Sequence, residues 1–214
     1  MTTTPELIAT LASHPTPIRR YRPPVQRAVV WLSVSALLIG VIAIEHPLRP
    51  DLPTLLHQTP YLLTLCSALA TGVLAAIAAF LLSVPDRSRL WGFLPLPPMG
   101  LWLSSVGYQC LTHWVAIGPK GITLGQTADC FATLTLVGLP LGLAASLMLH
   151  HAARLDVAKV SLLASLAVSG MTAVAMSLFH PIDASVLILT FNVGSTAVLL
   201  GLGLFLGTRF RRDR

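Results

Sequence analysis

Six apolar runs divide this chain, and almost no charge interrupts them. They are Ala28–Ile44, Tyr61–Ser83, Leu90–Gln109, Asp129–Leu149, Val160–Phe179 and Ser185–Gly207, and the only Lys, Arg, Glu or Asp within them is Asp129 at the rim of the fourth. About 20 helical residues cross the hydrocarbon core of a bilayer. The runs are continuous rather than alternating, which selects helices over barrel strands. Charged residues make up 10% of the chain, against about 25% in soluble domains. The expected fold is therefore an all-α membrane protein with six transmembrane helices. The first run does not read as a signal peptide, because 27 residues precede it and Glu45-His46-Pro47 follows it in place of a cleavage site.

Basic residues set the expected orientation. Arg19, Arg20, Arg22 and Arg27 precede the first run, Arg87 and Arg89 follow the second, Arg154 and Lys159 follow the fourth, and Arg209, Arg211, Arg212 and Arg214 form the tail. Twelve of the 14 Lys and Arg thus fall on one side, with Arg49 and Lys120 on the other. The positive-inside rule makes the richer side cytoplasmic, with both termini inside. The net charge of +6 is explained without a nucleic-acid partner. Three parts are expected: a cytoplasmic segment 1–27, a transmembrane domain 28–207 and a basic tail 208–214.

In the N-terminal segment, Thr4-Pro5-Glu6 reads as a helix start, with a capping hydroxyl, an early proline and an acid. Leu7, Ile8 and Leu11 would share one face, and His14-Pro15-Thr16-Pro17 would end the helix. Such a helix could lie on the lipid interface or dock a cytoplasmic protein. The first outer connection, Glu45–Pro60, holds four prolines and two histidines and leaves little scope for regular structure. Tyr61 opens the second run as an interfacial aromatic, and Cys66 reads as a small hydrophobe. Ala68, Gly72 and Ala76 form a small-residue row suited to close packing against another span.

The third run contains the proline box Leu94-Pro95-Leu96-Pro97-Pro98. Either its helix starts late, near Pro97 or Pro98, or the span is kinked. Pro140 should bend the fourth run, with Gly138 and Gly142 allowing close neighbours. Gly201, Gly203 and Gly207 serve packing in the last run, where Asn192 is the single amide at depth.

Spans without ionisable groups argue against a pump, channel or ion-coupled transporter. No metalloprotease, nucleophile-elbow, phosphate-loop or dinucleotide motif is present, so neither an enzyme nor a cofactor is expected. A small-molecule or metal permease and a membrane thiol oxidoreductase are the alternatives, the latter weakened by the lack of a Cys-x-x-Cys pair.

The stretch Tyr108–Phe131 reads as an outer loop carrying Cys110, His113 and Cys130. Two readings of its cysteines stand. They could form a disulfide that staples two spans, worth roughly 3 kcal/mol for a loop of about 20 residues. They could instead be a thiol pair that changes state with oxidant or binds a soft metal, helped by His113.

The chain also carries an ordered set of short motifs. Pro17-Ile18-Arg19-Arg20-Tyr21-Arg22-Pro23-Pro24 precedes the first run and EHPLRPDL (45–52) follows it. LPLPP (94–98), Gly107-Tyr108-Gln109-Cys110 with Trp114 and Gly118 beyond it, Cys130, and Phe179-His180-Pro181-Ile182-Asp183-Ala184 complete the order. This order resembles the NrsF family, negative regulators of sigma F, along nearly the whole chain. The resemblance implies a six-span inner-membrane anti-sigma factor that holds an extracytoplasmic-function sigma factor inactive and releases it under metal or oxidative stress. It favours the switch at Cys110 and Cys130, adds His180 and Asp183 to the sensing side, and leaves Cys66 without a role. The inner segments would bind the sigma factor, with Leu7, Ile8, Leu11, Arg19, Arg20 and Arg22 as candidate contacts.

Overall fold

A computed structural model describes residues 3, 4, 6, 13, 22–46, 48–84, 86–114, 124–149 and 157–179. Among the described residues every regular element is a helix and none is a strand. The helices are α1 (Pro24–Glu45), a short α2 (Leu52–Leu55), α3 (Thr59–Leu82), a 3-10 helix (Arg89–Phe93), α4 (Leu96–Trp114), α5 (Leu124–Leu149) and α6 (Val157–Phe179). Pro24–Glu45, Thr59–Leu82 and Ala158–Phe179 are long and apolar enough to cross a membrane, and Leu134–Leu149 is a shorter apolar stretch. The sixth run, Ser185–Gly207, lies outside the described residues.

Prolines mark where these helices begin. Pro24, Pro53 and Pro60 occupy the first or second position of α1, α2 and α3, where a missing N–H costs nothing and φ is already helical. The same rule resolves the proline box. Arg89–Phe93 turns as a 3-10 helix, with Ser88 Oγ accepting from Leu90 N at 3.3 Å. Regular α-helix begins only at Leu96, with Pro97 and Pro98 in its first turn. From there α4 runs to Trp114, four residues past Cys110. Helix α5 runs through Pro140 as one element. In the connection Glu45–Pro60, where little regular structure was expected, α2 forms one turn after Asp51, with Leu55 N donating to Asp51 O at 3.0 Å.

Helix α3 is the axis of the bundle and packs on α6, α4 and α1, while α6 also packs on α5. Lipid gives helices no hydrophobic reason to associate, so close backbone approach must supply dispersion contacts. The Ala68–Gly72–Ala76 row does so against α6. A Cβ on Gly72 would stand 3.2 Å from Met171 N, and one on Gly170 would stand 2.7 Å from Gly72 N and Cα. Around this seam Trp31, Ala76, Phe80, Val137, Leu141 and Met171 form the main core. A second cluster joins Ala68, Trp102 of α4, Leu134 of α5 and Met176. Facing outward are Leu37 and Ile44 of α1 and Leu139, Leu143 and Leu147 of α5, an apolar exterior suited to lipid.

Contacts between helix ends fix their directions. The start of α1 meets the ends of α3 and α5, because Arg27 touches Phe80 and Met148. The start of α3 meets the end of α6, where Tyr61 bonds Ser177. The helices therefore alternate in direction. Arg27, Arg87 and Arg89 share one end of the bundle, and Arg49 stands at the other.

Candidate functional site

The backbone puts both expected sensing cysteines on helices. Cys110 lies about one turn before the end of α4, and Cys130 falls in the second turn of α5. The stretch Tyr108–Phe131, expected as a loop, is thus helical over 108–114 and 124–131, leaving nine residues between. Helix α4 continues past the end of the apolar run at Gln109, and α5 begins at Leu124, five residues ahead of Asp129. The side chains of Cys110, His113 and Cys130 lie outside the described residues. So do Leu7, Ile8, Leu11, Arg19, Arg20, His180 and Asp183, whereas Arg22 is described and exposed just before α1. Cys66 is a free thiol on the exposed face of α3. Among the described residues no three His, Cys, Asp or Glu side chains gather as a metal site.

At the Arg49 end, polar contacts close the bundle. The buried Arg49 forks onto Asp51, Nε to Oδ1 at 2.7 Å and a terminal nitrogen to Oδ2 at 2.8 Å. This guanidinium holds the Asp51 carboxyl below the usual carboxylate range. Arg49 N donates to Leu178 O at 3.2 Å, and Tyr61 OH donates to Ser177 O at 2.7 Å. Carbonyls in the last turn of a helix lack intrahelical donors, so both bonds cap α6 immediately before His180-Pro181-Ile182-Asp183. Tyr61, expected as a belt aromatic, is half-buried and ties α3 to α6. The role of Arg49 and Asp51 was not visible in the sequence beyond their place in EHPLRPDL.

At the opposite end, Arg27 is buried and donates to Met148 O in the last turn of α5. A cation there also complements the negative end of the helix. Its guanidinium lies 5.3 Å from the centroid of the Phe80 ring. One turn further along α1, Trp31 Nε1 donates to Leu141 O at 3.3 Å. Between the ends, Thr64 Oγ1 and Ser105 Oγ join α3 to α4 at 3.1 Å, and Thr172 Oγ1 is buried without a hydrogen-bond partner among the described residues. On the N-terminal segment, Glu6 accepts from Thr3 N at 3.0 Å. That is half of a capping box, and it places the cap at Thr3 rather than Thr4. The same bond lowers the Glu6 pKa.

No characterised protein of the curated set and no solved structure matches the chain. Residues 11–212 match the family described as negative regulator of sigma F. That span takes in the α3–α6 seam, both capped helix ends and the two helices that carry Cys110 and Cys130. The chain belongs to the NrsF family, the negative regulators of sigma F.

Proposed function

We propose that the protein is a membrane-bound anti-sigma factor. Its six spans, with both termini in the cytoplasm, hold an extracytoplasmic-function sigma factor at the inner membrane and release it on a periplasmic signal. The family match over residues 11–212 carries this reading. The alternating helices support it, since they gather Arg27, Arg87 and Arg89 at one end, the side that positive charge marks as cytoplasmic. Segment 1–27 and tail 208–214 then flank the membrane domain 28–207. Leu7, Ile8, Leu11, Arg19, Arg20 and Arg22 are the proposed sigma-factor contacts. Arg27 is turned into the bundle and is not among them.

Cys110 and Cys130 are the proposed sensors, on consecutive helices joined by nine residues. Two thiols can yield two electrons and two protons to an oxidant and close a disulfide, or lose protons and hold a soft cation with His113. His180 and Asp183 follow the capped end of α6 and would stand on the same side. A signal can act only by favouring one arrangement of the helices over another. Changing both cysteines to serine should abolish induction of sigma-dependent transcription by a thiol oxidant or a soft metal ion. An unaltered response would remove the sensing role.

A further inference from the structure

Helix α1 grips α5 through directional bonds. The Arg27 guanidinium donates to Met148 O and the Trp31 indole N–H donates to Leu141 O. Both side chains are buried, Trp31 with 1% of its surface exposed and Arg27 with 9%. The donors are one turn apart on α1 and the acceptors two turns apart on α5, in antiparallel order, with the longer Arg27 side chain bridging the difference. Met148 O lies in the last turn, where carbonyls need external donors. Pro140, just before Leu141, has no N–H to donate to Leu136 O, so the α5 ladder is interrupted there and Leu141 O is held by Trp31 in addition to its own helix.

Two grips on one rigid piece fix its position, whereas apolar packing lets helices slide or rotate. The α5 segment from Leu141 to Met148 is therefore held to α1 at both ends. Cys130 lies beyond Pro140, eighteen residues and about 27 Å along α5 from Met148. The start of α1 follows directly from the segment bearing Leu7, Ile8, Leu11, Arg19, Arg20 and Arg22.

We infer that Arg27 and Trp31 are positioning residues that couple α5 to the N-terminal segment. A shift of α5 begun at its Cys130 end moves α1, and α1 moves the segment that meets the sigma factor. This inference rests on the anti-sigma reading above. It assigns transmission to α1 rather than to the inner connection that follows α5.

The test uses the full-length protein in cells with a sigma-dependent reporter, induced by the thiol oxidant diamide or by Cd²⁺. Wild type, Arg27→Gln and Trp31→Phe are compared, with membrane abundance and resting capture of the sigma factor followed for each. Both variants should capture the sigma factor at rest as wild type does. Their induced-to-basal ratio should fall about fivefold for each hydrogen bond lost. Trp31→Phe keeps most of the ring volume, so the result stands on it if Arg27→Gln fails to accumulate. A responsive wild type with equally responsive variants would overturn the coupling alone. A wild type that ignores both reagents would overturn the sensing reading and this inference with it.

Discussion

Gly170 of α6 lies against Gly72 of α3 so closely that a Cβ on Gly170 would stand 2.7 Å from the Gly72 nitrogen and 2.8 Å from Ala68 O. The two backbones touch, and no side chain fits between them. Gly170→Ala must push the helices apart and should cost about 1–3 kcal/mol. Gly72→Ala meets its nearest atom at 3.2 Å and should cost less. Gly40 and Gly100 have open space where a Cβ would go, so alanine there should be neutral or slightly stabilising. Thermal unfolding of the detergent-solubilised variants checks this order.

Two hydroxyls should respond in opposite senses. Among the described residues Thr172 Oγ1 is buried without a hydrogen-bond partner, so Thr172→Val removes a desolvated polar group at constant volume. It should raise stability by about 1 kcal/mol. Thr64 meets Ser105 across the α3–α4 contact, and Thr64→Val should lower stability by about 0.6 kcal/mol. The same unfolding assay reads both.

The Arg49–Asp51 tie should make stability fall in acid. Arg49 holds the Asp51 pKa down, so the folded form favours the carboxylate. Its contribution is fully present above the ordinary carboxylate range and is lost as pH drops through the lowered folded value, below about pH 4. Unfolding temperatures measured from pH 6 to pH 3 should decline less for Asp51→Asn than for wild type.

The proposed topology predicts the side on which each connection lies. Alkaline phosphatase fused after Leu55 should be active, and fusions after Arg87 or Arg214 should be inactive. An active fusion at Arg214 would contradict an even number of spans with both termini inside.

Several of these features were legible in the sequence because each followed from a local rule. The apolar runs located the described spans, the small-residue row on α3 announced a close neighbour, and the proline box allowed a late start for α4, which the structure adopts at Leu96. Partners between helices were not legible. Periodicity says which face of α3 is small but not that Gly170 meets it. An indole in an apolar run needs an acceptor, yet nothing local points from Trp31 to Leu141, 110 residues away. Arg27 read as one more inner-side charge because its partner is a backbone carbonyl, and every residue has one. The helical placement of Cys110 and Cys130 depended on how far α4 and α5 run beyond their apolar cores, which hydropathy does not mark.

Capture of the sigma factor tests the central claim most directly. Tagged full-length protein, solubilised from membranes of unstressed cells, should bring down an extracytoplasmic-function sigma factor in near-equal amount, and less of it after induction. Recovery of no sigma factor, from an intact protein present in the membrane before or after induction, would contradict the account.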